Sequence, residues 1–208
     1  MRDAVDDYTI TDTEGFRKFL RACAAFAGQL LNYNDLATSA GVSGVTAKEW
    51  VKILQSMGII FLLEPYASNE LKRLTKTPKL YFCDTGFCAY LSSWTTKDVL
   101  MNGAASGHFY ENYVIGELLR HYAYGKNKVN LNFFRDSKMR EIDLLIEESG
   151  VIHPIEIKKT ASPDKSAVKA FSVLKSGGRQ VGNGAVICMT DTVLPMDDNC
   201  LIMPSGII

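Results

Sequence analysis

The sequence has no excess of charge of either sign, because its 208 residues hold 23 Lys and Arg against 23 Asp and Glu. Net charge therefore gives no general attraction to nucleic acid, and any such binding must come from a local patch. No apolar run reaches the length of a membrane span. Residues 1–7 are acidic, unlike the basic start of a signal peptide. We therefore expect a cytoplasmic protein with no membrane partner.

The sequence also lacks the cysteine and glycine motifs of several common sites. Its five cysteines form neither a CxxC pair nor a Cys/His zinc spacing, so we expect reduced, mostly buried thiols. There is no GxxxxGKS/T loop, because GKN at 125–127 lacks both the upstream glycine spacing and the Ser or Thr. The chain is therefore not expected to bind ATP. Its length suffices for one large domain or two small ones.

Residues 1–100 are predicted to form a winged helix-turn-helix domain. A helix is expected over 13–27, because its apolar residues follow three-and-four spacing. A short second helix ends at Gly41, and Ser43 then caps a third one. Two helices joined by a glycine turn are the helix-turn-helix layout. The inward face of the third helix is predicted to hold Ala47, Trp50, Val51, Leu54 and Met57.

The outer face of the third helix and a basic loop carry the predicted DNA contacts. The helix presents polar side chains that can meet a major groove. The loop lies between two predicted strands, 59–66 and 80–83, and such a wing contacts phosphates. Docking to another protein or domain remains the alternative, because Glu49 on the outer face would repel phosphate. The predicted DNA-binding residues are Thr46, Lys48, Lys52, Lys72, Arg73 and Lys76.

The DTG turn after the second predicted strand leads into another helix. Asp84 is predicted to cap this helix rather than to act in catalysis. Phe87, Tyr90 and Leu91 are expected to pack inward. The glycine-containing segment 92–107 is the predicted hinge, and the second domain then spans 101–208.

Charged residues between Glu111 and Lys158 form the candidate catalytic site. Glu111 lies in a helix-like segment, Asp143 in the strand pattern REIDLLIEE, and Glu156 and Lys158 in VIHPIEIKK. Because side chains alternate across a strand, a hairpin around 148–150 brings these polar groups together at a sheet surface. Mg²⁺ or Mn²⁺ suits such carboxylates and would activate water near a phosphate. The alternative is a solvated Glu-x-Lys ion pair, worth about 0 to 1 kcal/mol.

At these residues the chain resembles the PD-(D/E)xK nuclease superfamily, whose core is a helix, three strands, a helix and a further strand. The resemblance implies that Asp143 and Glu156 bind the metal and that Lys158 is the catalytic lysine. Glu111, with Glu117 as the second choice, stands where many members have an additional metal-binding glutamate. The sequence departs from the family pattern in having no proline before Asp143.

The end of the chain is predicted to complete this second domain. A helix is expected over 164–176, with Val168, Phe171 and Leu174 inward, and strands are expected at GAVICM and CLIMP. His153 lies near the candidate site in sequence but is assigned no catalytic role. The lysines that can line an approach to DNA are Lys165, Lys169 and Lys175.

Several motifs in fixed order also resemble the C-terminal region of archaeal and bacterial predicted AAA-type ATPases, a winged helix followed by the domain of unknown function 4143. In that family an ATPase domain precedes this region, which implies an ATPase domain as partner. Because no P-loop is present, the chain is expected to be an excised portion or a shortened relative. The motifs are GQLLNYNDLA, FLLEPY, LTKTPKLYFCDTGFCAYL, FYENYVIGELLR, FRDSKMREIDLLIE and PIEIKK.

The sequence thus predicts an α/β (α+β) protein that acts as a DNA-binding, divalent-metal-dependent nuclease-like module. The alternative function is a catalytically silent scaffold, whose winged helix docks protein partners or the missing ATPase domain. Retention of Asp143, Glu156 and Lys158 favours the nuclease, while overall neutrality favours the scaffold.

Overall fold

The chain folds into two compact units, each built from helices and strands. The first unit comprises Met1–Leu62 with Thr77–Gly103, and the second comprises Leu63–Lys76 with Ala104–Ile208. The mixed α/β class predicted from the sequence is confirmed. No helix within the described stretches is long and apolar enough to cross a membrane. The computed structural model describes residues 10–66, 77–125, 129–175 and 179–208.

Helix caps set most of the element boundaries in the first unit. Ser43 Oγ accepts a hydrogen bond from the backbone N–H of Thr46 at 3.0 Å, and Asp84 Oδ1 accepts one from Phe87 at 2.9 Å, so both predicted caps are confirmed. Gly41 ends a helix with φ 72°, which favours glycine. The elements are α1 (Thr13–Ala25), α2 (Tyr33–Ala40), α3 (Gly44–Ser56), β1 (Ile60–Leu63), β2 (Lys79–Phe82), α4 (Thr85–Leu91) and α5 (Lys97–Asn102).

An aromatic cluster, in which Phe19 and Trp50 are buried and Phe16 is half-buried, joins α1 to α3. The ring of Trp50 makes edge contacts with Phe16 at 5.2 Å and with Phe19 at 5.3 Å between centroids. Two predictions of inward residues are wrong. Met57 is 54% exposed, because α3 ends at Ser56. Tyr90 is 70% exposed, because α4 buries the adjacent smaller residues instead.

The strands of the first unit form a small sheet that also uses the chain between α1 and α2. β1 pairs with β2, and Leu30 forms an antiparallel bridge with Lys79. The backbone N–H of Leu31 donates to the carbonyl of Pro78 at 2.8 Å, which secures this third segment. The predicted hinge, 92–107, contains α5 and so is not a simple loop.

The second unit is a mixed sheet with helices packed against it. Its strand order is β3-β4-β5-β7-β9-β8, with β6 beside β5. β3, β4 and β5 are antiparallel, whereas β5, β7 and β9 are parallel. The elements are α6 (Ser106–Tyr124), β3 (Asn130–Arg135), β4 (Glu141–Glu148), β5 (Val151–Lys158), a 3₁₀ helix (Lys165–Phe171), α7 (Ser172–Lys175), β6 (Gln180–Val181), β7 (Gly184–Cys188), β8 (Leu194–Asp197), β9 (Cys200–Pro204) and a short 3₁₀ helix (Ser205–Ile207).

The predicted hairpin between β4 and β5 is confirmed. Ser149 and Gly150 connect the strands and have φ values of 52° and 82°, and two positive φ angles are typical of a tight type I′ turn. The single helix predicted over 164–176 is wrong, because this stretch forms the 3₁₀ helix followed by α7. β6 and β8 were not predicted.

β5 lies inside the sheet between β4 and β7. Its residues Ile152, Ile155 and Ile157 are buried, as expected for a strand covered on both faces. A charged side chain on β5 therefore lies in an apolar environment, where a carboxylate is unfavourable unless it has a hydrogen-bond donor or a cation beside it.

Candidate active site

The β4–β5 hairpin brings Asp143 to the end of a regular ladder. The last regular pair toward the site joins Leu144 to Ile155. Beyond that pair, Asp143 Oδ2 accepts a hydrogen bond from the backbone N–H of Ile157 at 2.8 Å. The side chain therefore satisfies a buried backbone donor, and Asp143 itself is only 8% exposed.

Lys158 connects the two buried carboxylates. Its Nζ lies 2.5 Å from Glu156 Oε1 and 4.0 Å from Asp143 Oδ2. Glu156 is 6% exposed, and its second oxygen, Oε2, is buried with no hydrogen-bond partner among the described residues. Buried polar atoms are normally satisfied, so this oxygen is an exception in the described part of the chain.

Glu111 on α6 belongs to the same electrostatic cluster. Burial raises the pKa of Glu156, Lys158 opposes this change, and the charge of Glu111 adds to it, so the pKa lies above the usual glutamate value. Burial alone would lower the pKa of Lys158, but Asp143, Glu156 and Glu111 together raise it. Lys158 is therefore a firmly protonated ammonium group.

Glu117, the second choice for the helix glutamate, has a different neighbour. Its Oε1 lies 2.5 Å from Nη2 of Arg120, one turn along α6. No influence of Glu117 on the pKa of Glu156 or Lys158 is found, whereas Glu111 affects both. Glu111, rather than Glu117, therefore acts electrostatically on Glu156 and Lys158.

The cluster opens into a cleft of about 380 Å³. The sequence predicted a sheet surface, but the carboxylates are buried because β5 is flanked by strands and the 3₁₀ helix lies beside it. The cleft is lined by Arg140, Glu141, Glu156, Lys158, Ser166, Ala167, Lys169 and Ala170.

Arg140 is a cleft residue that the sequence analysis missed. It ends the connection between β3 and β4, where Asp136 Oδ2 lies 2.6 Å from Arg140 Nη2. The signal in the sequence is an Asp four residues before an Arg in a short loop, because Asp side chains bond the backbone of such turns. Lys169, which was named as lining an approach to DNA, does reach the cleft.

The residues present fit a metal site that is only partly made of protein. Within the described stretches, no group of three or more His, Cys, Asp or Glu side chains is arranged to hold a metal ion. Asp143 and Glu156 supply two carboxylates, and Mg²⁺ is commonly held by one or two carboxylates, water and substrate phosphate. The unsatisfied Glu156 Oε2 agrees with such a site.

His153 lies on β5 but makes a contact of its own. Its Nδ1 is 2.9 Å from the backbone carbonyl oxygen of Asn183. This bond ties β5 to the chain before β7.

The structure places three of the predicted DNA-binding residues on α3. Lys48 and Lys52 are exposed, and Lys48 Nζ lies 5.7 Å from the centroid of the Tyr33 ring. Thr46 is half-buried, and its Oγ1 lies 2.8 Å from Ser43 Oγ, so it serves the helix cap. The remaining three, Lys72, Arg73 and Lys76, lie outside the described residues.

Comparison with known proteins identifies two domains in this chain. Residues 1–98 match the family of the Domain of unknown function DUF8612. Residues 106–208 match the family of the Domain of unknown function DUF4143, so the expected resemblance to domain 4143 is confirmed. The two matches lie side by side along the chain, and each covers just under half of it.

Two mycobacterial proteins resemble most of the chain. They are Uncharacterized protein Rv2008c of Mycobacterium tuberculosis and Uncharacterized protein Mb2031c of Mycobacterium bovis. Each is 26% identical over 182 residues, which cover 88% of this chain and 40% of the relative. The chain therefore spans about 40% of the length of these relatives. No solved structure matches the chain.

Proposed function

We propose that the second unit is a divalent-metal-dependent nuclease that hydrolyses phosphodiester bonds. The observation that carries this proposal is Glu156, a buried carboxylate with an unsatisfied oxygen beside Asp143 and Lys158. The ion pair with Lys158 uses Oε1 and leaves Oε2 without a partner among the described residues. A cation in the adjacent cleft would satisfy it.

The order of elements supports a PD-(D/E)xK fold for this unit. α6 precedes β3, β4 and β5, and short helices then lead to β7, which is the expected sequence of a helix, three strands, a helix and a strand. The carboxylates lie on β4 and β5, the second and third of these strands. β6, which pairs with β5, is an addition to this pattern.

In the proposed reaction, Asp143 and Glu156 would hold Mg²⁺ or Mn²⁺, and Glu111 would complete the site directly or through water. A bound ion would supply Lewis-acid chemistry, which polarises a phosphoryl oxygen and lowers the pKa of a water ligand. Lys158 is protonated, so its ammonium group positions the attacking water and offsets negative charge on the phosphate. Asp143 also holds the backbone of Ile157, which fixes β5 beneath the cleft.

The first unit is proposed to be a winged helix that binds DNA through α3. The exposed Lys48 and Lys52 supply cations on its outer face. An AAA-type ATPase domain is the proposed protein partner, and the cytoplasm the proposed compartment. The described cysteines are all free, which suits a reducing environment.

The competing function is a catalytically silent scaffold. The absence of a three-ligand group among the described residues favours it, as does the ion pair by which Lys158 already neutralises Glu156. Plasmid nicking in Mn²⁺ decides between them. The nuclease predicts nicking by the wild-type chain and none by Asp143→Asn, whereas the scaffold predicts no nicking by either.

A further inference from the structure

Arg140 is held in place by the loop that carries it. Asp136 Oδ2 lies 2.7 Å from Arg140 Nε and 2.6 Å from Nη2. Asp136 Oδ1 accepts hydrogen bonds from the backbone N–H groups of Lys138 at 2.9 Å and Arg140 at 3.0 Å. The backbone N–H of Asp136 donates to the carbonyl of Arg140 at 3.1 Å, which closes the loop. One edge of the guanidinium group is therefore fixed.

The other edge of this guanidinium remains available. Nη1 of Arg140 makes no hydrogen bond to any described residue, and the side chain is 46% exposed. Lys169 lines the same cleft from the 3₁₀ helix, and Lys158 lines it from β5. The cleft is thus lined by three cations, Arg140, Lys158 and Lys169, and by the carboxylates of Glu141 and Glu156.

We propose that Arg140 and Lys169 form a phosphate subsite for the backbone of a DNA strand whose phosphodiester bond reaches Glu156 and Lys158. This inference rests on the proposed nuclease function and names the contacts that hold its substrate. A guanidinium fork suits phosphate oxygens. Because Asp136 already orders Arg140, little side-chain entropy is lost when phosphate binds.

The test measures binding rather than cleavage. Fluorescence anisotropy follows a short fluorescein-labelled oligothymidylate, which has no major groove for α3, in Ca²⁺ and again in EDTA over a salt series. Arg140→Ala is expected to weaken binding about tenfold and to reduce the slope of log K against log salt by about 0.7, the value for one phosphate contact on a single strand. Lys169→Ala is expected to act in the same direction.

Two variants make the test specific. Arg140→Lys keeps the charge but lacks the planar fork, so the salt slope should be retained while the affinity stays below wild type. Lys138→Ala removes a cation from the same loop outside the cleft and should leave affinity and slope near wild type. Circular dichroism melting of each variant reveals any loss of fold, and Arg140→Lys decides the outcome if Arg140→Ala does not fold.

The phosphate subsite and the nuclease activity can be tested separately. No oligothymidylate binding by the wild-type chain, or equal effects of Arg140→Ala and Lys138→Ala, overturns the subsite. If nicking requires Asp143 while Arg140→Ala binds like wild type, the nuclease stands and the subsite falls. If binding requires Arg140 but Mn²⁺ supports no nicking, the subsite stands and hydrolysis falls.

Discussion

The carboxylate of Asp143 accepts a hydrogen bond from the backbone N–H of Ile157 at 2.8 Å, one residue before the lysine of the site. The same side chain lies 4.0 Å from Lys158 Nζ and beside the buried Glu156. Asp143 therefore has two roles, one in holding β5 and one in the proposed metal site. These roles are separable because an amide retains the acceptor oxygen but loses the negative charge.

Replacing Asp143 by Asn and by Ala separates the two roles. Asp143→Asn keeps an acceptor for the Ile157 N–H, so its free energy of unfolding should lie within about 1 kcal/mol of wild type. Asp143→Ala leaves this buried N–H without an acceptor and should lower the free energy of unfolding by about 1–3 kcal/mol. Urea unfolding in EDTA measures both. Equal stability of the two variants would show that the hydrogen bond contributes little.

Glu156→Gln tests the buried carboxylate through pH. The pKa of Glu156 is raised in the folded state, so ionisation of this carboxyl group lowers the stability of the protein. This loss is absent at pH values below the pKa of Glu156 in the unfolded chain. It is complete at pH values above the pKa of Glu156 in the folded protein. In EDTA, Glu156→Gln should therefore melt above wild type at neutral pH, and its advantage should disappear below about pH 4, near the unfolded pKa.

Melting temperatures measured across this pH range check the prediction. A variant that melts below wild type at neutral pH would show that the Lys158 ion pair outweighs the burial cost.

Glu111 and Glu117 form a matched pair on α6. Glu111→Gln should weaken Mn²⁺ binding by about tenfold. This is the lower end of the loss in affinity that follows when a residue supporting the metal ligands is replaced. Glu117→Gln removes the same charge from a residue paired with Arg120 and should leave the affinity near wild type. Calorimetric titration of both variants makes the comparison, and equal affinities would remove Glu111 from the site.

Asp84 tests whether a conspicuous carboxylate is only structural. Asp84→Ala should lower the free energy of unfolding by about 1 kcal/mol, because α4 loses its N-cap, whereas Asp84→Asn should retain most of it. Neither change should alter Mn²⁺ binding or nicking. Loss of nicking in the well-folded Asn variant would contradict a purely capping role.

The hairpin and its polar pairs were predictable because their signals are local. Alternation along two adjacent strands and a turn at Gly150 are sufficient to bring Asp143 near Glu156. The choice of Glu111 over Glu117 came from the resemblance to the nuclease superfamily, and the effect of Glu111 on the pKa values of Glu156 and Lys158 was not predicted. The burial of Glu156 did not follow, since it depends on β7 joining β5 from a distant part of the chain.

The predictions from sequence were wrong or incomplete where a local sequence pattern is compatible with more than one structure. Met57 continues the apolar spacing of α3, yet the helix stops one residue earlier. β8 contains one buried residue, Met196, and therefore shows too little alternation to predict. Arg140 was missed because its position depends on the closed loop at Asp136, and hydrogen bonds of this kind leave no periodic signal.

The proposed metal site is tested by calorimetric titration of Mn²⁺ into the wild-type chain and into Asp143→Asn, followed by plasmid nicking at saturating metal. A metal-dependent nuclease site predicts Mn²⁺ binding and nicking for the wild type, and loss of both for Asp143→Asn in its folded form. Absence of Mn²⁺ binding in both proteins would contradict a metal-dependent site at Asp143 and Glu156.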